Sequence, residues 1–316
     1  MRSPGCRRTP AEDPSGNRVS LSHVPPIRLP SHLVQPEGRV LMPGEIFGFD
    51  AFSPHEVAGR IEHIGVAKAR LPLRSMLMLA LLAGAFIGLG SIAYLLVASD
   101  PALSFSVSRV LGGAVFSLGL IMVVVAGAEL FTGNNLLAMA WAEGKVGTGE
   151  LLRNWCLVCL GNLVGAAGLA ALVLLADTPR LGDGLVARKA IEVAAAKAAL
   201  PWDVAFVRGA LCNVLVCLAI WMAAAGRSVV DKVVAIVPPI AAFVALGFEH
   251  SIANMFFFPL AIGLLAGDPT LLELPGAQTV GWIAMARNLA PVIAGNLVGG
   301  SVLVALVYWV IYRRKA

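Results

Sequence analysis

Residues 153–165 read RNWCLVCLGNLVG, and residues 287–299 read RNLAPVIAGNLVG. Each stretch opens on Arg-Asn, runs six residues and closes on Gly-Asn-Leu-Val-Gly, at Gly161–Gly165 and at Gly295–Gly299. A second pair of matches lies upstream. Gly127-Ala-Glu129 and Gly247-Phe-Glu249 are each followed, five residues after the glutamate, by an asparagine, Asn134 and Asn254. Agreement in residue and spacing at both places reads as a duplicated unit.

Working outward, the apolar residues fall in six regions: Met76–Ala98, Val110–Ala142, Asn154–Ala176, Gly209–Gly226, Val233–Gly267 and Asn288–Tyr312. The uninterrupted ones approach the ~20 residues that a bilayer requires. The second and fifth are too long for one crossing and are interrupted at Glu129 and at Glu249-His250. Three crossings per unit force the second copy to insert upside down relative to the first, the inverted-repeat plan of many channels and transporters. The expected fold is therefore an all-α integral membrane protein, with six transmembrane helices as two inverted three-helix repeats and helices 2 and 5 broken.

Composition agrees. The chain of 316 residues is 58% hydrophobic and 14% charged, with a mean hydropathy of +0.81, too little charge to cover a soluble surface of this size. The net charge of +5 does not imply nucleic acid, because the basic residues flank apolar segments, where they meet headgroups. One set of loops carries Arg60, Lys68, Arg70, Arg74, Lys145, Arg153, Arg227, Lys232, Arg313, Arg314 and Lys315. The other carries fewer, Arg109, Arg180, Arg188, Lys189, Lys197, Arg208 and Arg287. The positive-inside rule then puts both termini in the cytoplasm of a multi-pass protein of the inner (plasma) membrane.

Residues 1–50, rich in Pro, Arg, Ser and Gly, are read as a disordered tail without the apolar core of a secretory signal. Residues 51–316 form the membrane domain. Within it, Val57, Ile61, Ile64 and Ala67 at helical spacing, with Pro54 in the first turn, predict an amphipathic surface helix, and a short alanine-rich helix is expected near Ile191–Leu200. Of the five cysteines, Cys6, Cys156, Cys159, Cys212 and Cys217, four lie inside apolar segments and read as small helix residues rather than a redox pair, a metal site or a disulfide framework.

The breaks carry the functional argument. Backbone at membrane depth leaves the helix only where it is buried or lines a polar cavity. Half-helix N-termini present free N–H groups and partial positive charge, which suit an anion. Glu129, Glu249 and His250 are costly at such depth and need partners or a role. The carboxylates are expected to accept hydrogen bonds from the opened backbone or to be protonated. His250 is the membrane region's one histidine; His23, His32, His55 and His63 all precede the first crossing. That excludes a bis-histidine haem in the bilayer. An imidazole at a break can donate to an anion and exchange a proton near neutral pH, and Thr132 can donate to His250 or to the substrate.

At these residues the sequence resembles the formate/nitrite transporter family. The resemblance runs from about Phe52 to the C-terminus, through Ala128-Glu-Leu-Phe-Thr-Gly133, Arg208-Gly-Ala-Leu-Cys-Asn-Val-Leu-Val-Cys217, Gly247-Phe-Glu-His-Ser-Ile-Ala-Asn-Met255 and Gly295-Asn-Leu-Val-Gly-Gly300. It implies an aquaporin-like fold assembled as a homopentamer with a pore in each protomer, and no enzyme activity or cofactor. It implies passage of formate, nitrite or a similar small anion, with His250 as the central pore histidine and Thr132 its partner. It further implies Asn213, Asn296, Lys197 and Glu249 along the pathway, and Phe116, Leu120, Phe131 and Phe243 as apolar constrictions. Apolar constrictions make a bare anion expensive to pass, so proton transfer at His250 is expected to ease it. A hydrosulfide or other weak-acid channel is the alternative within the family. A neutral-solute channel of the aquaporin class is a more distant one, since neither break holds Asn-Pro-Ala. The Gly133-Asn134-Asn135 stretch departs from the resemblance, as does the long N-terminal segment.

Overall fold

The computed structural model describes residues 51–314, which are helical throughout, with no strand among the described residues. The expected tail at residues 1–50 lies outside them. Helix α1 (Pro54–Ala69) opens on a capping box: Ser53 Oγ accepts from the Glu56 N–H at 3.4 Å, and Glu56 Oε2 accepts from the Ser53 N–H at 2.8 Å. Its buried stripe is Val57, Ala58, Ile61, Gly65 and Ala69. Ile64 and Ala67, expected on that stripe, are exposed instead and line a cavity. Positions 57, 61, 65 and 69 repeat every fourth residue, which leaves 64 and 67 on the neighbouring face.

Among the described residues, five spans are long and apolar enough to cross a membrane: Leu73–Ala98, Phe105–Ala126, Thr148–Leu175, Trp202–Ala225 and Trp282–Tyr312. They are α2 (Leu73–Ala98), α3 (Phe105–Phe116) running into α4 (Leu118–Ala126), α7 (Thr148–Leu175), α9 (Trp202–Ala225), and α12 (Trp282–Leu297) running through a π-helical segment, Val298–Leu306, into α13 (Val307–Tyr312). The remaining crossing is split into α10 (Val229–Ala245) and α11 (Ser251–Gly267), 17 residues each. A 17-residue helix rises about 26 Å, short of a ~30 Å hydrocarbon core, so this crossing needs both halves. Several helices begin earlier than the apolar windows suggest: α7 at Thr148, α9 at Trp202 and α12 at Trp282. The added first turn is polar in α7, where Glu150 accepts from the Gly147 N–H at 2.9 Å. The alanine-rich helix is α8 (Leu185–Ala198).

The two repeats run α1–α7 and α8–α13. In the first, α2 packs along α7; in the second, α9 packs along α12. The approach is close in both: a Cβ on Gly165 would meet the Leu81 carbonyl oxygen, and one on Gly299 would meet that of Ala210. Both broken helices end alike. Gly127 and Gly247 turn into the left-handed region at φ 81° and 73°. The next amide then reaches back five residues, Ala128 N to Val123 O at 2.9 Å and Phe248 N to Phe243 O at 3.0 Å. The copies differ after the break. The second resumes as the long α11, whereas the first resumes as the single turn α5 (Phe131–Asn134) and the short α6 (Leu137–Ala142). The π-segment has no counterpart in α7. Its Gly300 packs against Asn213 and Asn135, and Ser301 Oγ donates to the Asn135 carbonyl at 3.3 Å.

Candidate permeation site

Opened backbone at membrane depth must find partners inside the protein. Here the asparagines of the repeated Gly-Asn-Leu-Val-Gly supply them. Asn162 Nδ2 donates to the carbonyls of Ala80 (2.7 Å) and Glu129 (2.9 Å), and its Oδ1 accepts from the Phe131 N–H at 2.9 Å. Asn296 Nδ2 donates to the carbonyls of Gly209 (2.8 Å) and Glu249 (3.0 Å), and its Oδ1 accepts from the Ser251 N–H at 3.0 Å. The same three bonds in each repeat tie the break to the helix before it and to the helix after it. Asn296, expected along the pathway, thus spends its amide on backbone. Asn213 Nδ2 is also spent, on the carbonyls of Thr132 (3.2 Å) and Asn296 (2.7 Å) and on the side-chain oxygen Asn135 Oδ1 (2.7 Å).

The two glutamates are not capped by opened backbone amides as the sequence suggests. Each is held by a lysine from the amphipathic helix of its own repeat and by the asparagine five residues on. Lys68 Nζ lies 2.8 Å from Glu129 Oε1 and 3.0 Å from Asn134 Oδ1. Asn134 Nδ2 donates to Glu129 Oε2 (2.7 Å) and to Asn154 Oδ1 (2.9 Å), and Asn154 Nδ2 returns to the Lys68 carbonyl at 3.2 Å. In the second repeat, Lys197 Nζ bridges both Glu249 oxygens at 2.9 and 3.0 Å. Asn254 Nδ2 donates to Glu249 Oε2 and to Asn288 Oδ1, both at 2.7 Å, and Asn288 Nδ2 returns to the Lys197 carbonyl at 3.0 Å. Both carboxylates are buried, and a buried charge survives only when paired and hydrogen-bonded.

Sequence reasoning missed Lys68, Asn154 and Asn288. A signal for Lys68 was available: Lys68-Ala-Arg-Leu-Pro72 and Lys197-Ala-Ala-Leu-Pro201 are one motif in two copies.

His250 caps the N-terminus of α11. Its Nδ1 accepts from the Ala253 N–H at 3.1 Å, and its Nε2 lies 3.1 Å from Thr132 Oγ1. An Nδ1 that accepts an amide proton carries none itself, so the ring is the Nε2–H tautomer and donates to Thr132. The threonine hydroxyl proton is then directed elsewhere. Around the imidazole stand two of the expected constriction residues. Phe243 stacks on it at 5.8 Å with an 18° interplanar angle, and Phe116 meets it edge-on at 6.4 Å. Phe116 and Phe243 are themselves T-shaped at 5.7 Å. Leu120 and Phe131 are buried in the same apolar cluster.

Two cavities approach this point. The smaller, about 200 Å³, is lined by His250, Phe116, Phe243, Lys197, Arg109 and Arg208 among others. The larger, about 390 Å³, is lined by Lys68, Glu129, Leu130, Gly133, Arg60 and Lys232 among others. Leu130 and Gly133 flank Thr132, and His250 bonds to it, so the Thr132–His250 contact separates the two. Leu120, Phe131 and Thr132 line neither cavity and are buried. The neck between them is closed and predominantly apolar, with one hydroxyl and one imidazole across it. Of the two expected half-helix N-termini, only α11 is long enough to carry a useful dipole, since α5 is a single turn.

An inverted repeat whose two broken crossings meet at a closed neck between cation-lined cavities has the build of a multi-pass membrane channel or transporter. The chain belongs to the formate/nitrite transporter family, whose model matches residues 55–310. The formate channel FocA of Escherichia coli strain K12 is 38% identical over 276 residues, covering 84% of this chain and 96% of that protein. The uncharacterised transporter YrhG of Bacillus subtilis strain 168 is 40% identical over 268 residues, covering 83% and 94%. A solved pentameric formate channel with formate bound superposes with a TM-score of 0.71 at 39% identity, over 77% of this chain and 98% of that one.

Proposed function

We propose that the chain passes small monovalent anions, formate foremost and nitrite with it, across the membrane through the neck at Thr132 and His250. The observation that carries this reading is the single Thr132–His250 hydrogen bond, 3.1 Å long, across an otherwise apolar closure between two cavities that each hold a lysine. The excess of basic residues on each wall, with Arg60 and Lys232 at the larger cavity and Arg109 and Arg208 at the smaller, draws an anion into either one. The neck then offers it one free hydroxyl proton, and no water shell to replace the one it sheds. The substrate named for the FocA relative and for the pentameric structure supports formate as the first anion to try. That pentameric neighbour also supports assembly as a homopentamer. The distribution of basic residues supports both termini in the cytoplasm, with the protein in the inner (plasma) membrane.

Proton coupling takes one route in this geometry. Nδ1 must first take up a proton, which breaks its bond from the Ala253 N–H and makes the ring an imidazolium. The Nε2 proton then passes to Thr132 Oγ1 as the hydroxyl proton passes to formate. The products are formic acid, which crosses the apolar neck at less cost, and a neutral imidazole. Anion flux into proteoliposomes, measured for formate, nitrite, hydrosulfide and chloride at two pH values, tests the proposal. Saturable passage of formate or nitrite that rises as pH falls is expected. No passage of any of them by well-assembled protein would overturn it.

A further inference from the structure

The smaller cavity has cationic residues Lys197, Arg109 and Arg208 on its wall, and they are not equivalent. Lys197 is spent on Glu249, with its ammonium within 3.0 Å of both carboxylate oxygens. Arg109 is spent on the broken helix: its Nε and Nη2 donate to the carbonyls of Ala245 and Val244, each at 2.9 Å, closing the C-terminal end of α10. Arg208 is different. Its side chain is exposed at the cavity. Its carbonyl is fixed in place by the Glu249 N–H at 3.2 Å, and its guanidinium makes no hydrogen bond or ion pair among the described residues. The inverted repeat sharpens the contrast. Glu129 N–H donates to Leu79 as Glu249 N–H donates to Arg208, so the equivalent position in the first repeat, on the wall of the larger cavity, is a leucine. Duplication alone does not require a cation at residue 208.

We infer that Arg208 is a carboxylate-selecting subsite at the mouth of the smaller cavity, binding a planar monocarboxylate in a two-pronged grip before it reaches the neck. The chemistry favours this ligand class over a spherical anion. A guanidinium presents parallel N–H donors that match two carboxylate oxygens, whereas a lysine ammonium is a point charge that does not distinguish formate from chloride. The cavity's one carboxylate, Glu249, is already paired with Lys197 and Asn254. It therefore does not compete for the arginine.

This inference rests on the reading of the chain as an anion pathway, and the test separates the two. Wild type, Arg208→Leu (the residue of the first repeat) and Arg208→Lys are compared as assembled protein. Formate and chloride fluxes are measured in proteoliposomes, and line broadening of 13C-formate is measured on solubilised protein. Arg208→Leu is expected to raise the formate concentration at half-maximal flux about tenfold, the scale of one bidentate charge-assisted contact, with the maximal rate little changed. Arg208→Lys should keep the uptake of both anions but lose most of the preference of formate over chloride. The broadening should fall in Arg208→Leu. If wild type passes no formate but broadens it in an Arg208-dependent way, passage is overturned and the subsite stands. If half-saturation, selectivity and broadening are the same in all three proteins, the subsite is overturned whatever the flux.

Discussion

Thr132 Oγ1 lies 3.1 Å from His250 Nε2, and this hydrogen bond joins the break of the first repeat to the break of the second. Because Nδ1 is occupied by the Ala253 N–H, the bond has a direction: the ring donates and the threonine accepts. Replacing Thr132 by valine keeps the volume and removes the hydroxyl. The variant is expected to assemble as wild type does but to pass formate roughly ten- to a hundredfold more slowly, the scale of the ~1–3 kcal/mol cost of one hydrogen bond left unmade in a buried place. His250→Ala should also assemble, and should change the pH dependence and the anion preference of flux. Initial rates in proteoliposomes at two pH values check both. Unchanged rates in Thr132→Val would remove the hydroxyl from the pathway.

Asn162 and Asn296 make the same bonds in the two repeats, so their loss should cost about the same. Truncation to alanine leaves a carbonyl and an amide of the break without that partner in a buried place, Glu129 O and Phe131 N in the first repeat, Glu249 O and Ser251 N in the second, and unties the break from α2 or α9. Each orphaned group costs about 1–3 kcal/mol, so either variant loses several kcal/mol. Both Asn162→Ala and Asn296→Ala are expected to fall sharply in Tm and in yield of assembled protein, by similar amounts. A marked loss in one with none in the other would mean that the symmetry of bonds is not a symmetry of energies.

The repeat and its breaks were legible because they are written in residues with few other uses inside a bilayer. These are a glutamate at depth, a glycine before it, and an asparagine in a run of apolar residues. The positions of His250 and Thr132 at the two turns were legible for the same reason, and the structure brings the two side chains together. What was not legible depends on distance. Lys68 lies 61 residues before Glu129 on a helix whose Glu56 and Arg60 are exposed, and a solvated lysine looks no different until the fold closes. The π-segment leaves only Gly299-Gly300 as a trace in the sequence, and the close approach of Gly300 to Asn213 and Asn135 involves residues of other elements. Ile64 and Ala67 satisfied an apolar pattern, but a cavity rather than a neighbouring helix lies against that face.

The start of α1 should be sensitive to acid. The Ser53 N–H, and after it the Ser53 hydroxyl, holds the Glu56 carboxyl below the ordinary glutamate range. Folded α1 therefore binds that proton more weakly than the unfolded segment does. The capping contribution is fully present above the unfolded value and is lost as pH falls through the depressed folded one. Amide protection in the first turn of α1, corrected for intrinsic exchange, is expected to be high at neutral pH and to drop only once the pH falls below the ordinary range for a glutamate. Glu56→Gln should show reduced protection at neutral pH and a smaller drop on acidification. An identical acid response in Glu56→Gln would assign the effect to another group.

The lysine–glutamate pairs make the most demanding prediction, because they separate a structural cost from a functional one. The Lys197 and Glu249 side chains are 13% and 5% exposed. Removing the lysine alone leaves a carboxylate buried without its cation, a change that typically costs about 3–5 kcal/mol. Lys197→Met should therefore assemble poorly. Adding Glu249→Gln removes the stranded charge while keeping an acceptor for Asn254, so the double variant should recover most of the lost Tm. Recovery of fold need not bring recovery of flux. If Lys197 also draws anions into the cavity, the rescued protein will assemble and still require a higher formate concentration for half-maximal rate. Lys68→Met with Glu129→Gln should repeat the stability pattern in milder form, since Lys68 is 27% exposed and water softens its loss. Should the double variant at 197 and 249 regain both Tm and wild-type half-saturation, the pair would be a structural tie alone, and capture in that cavity would fall to Arg208.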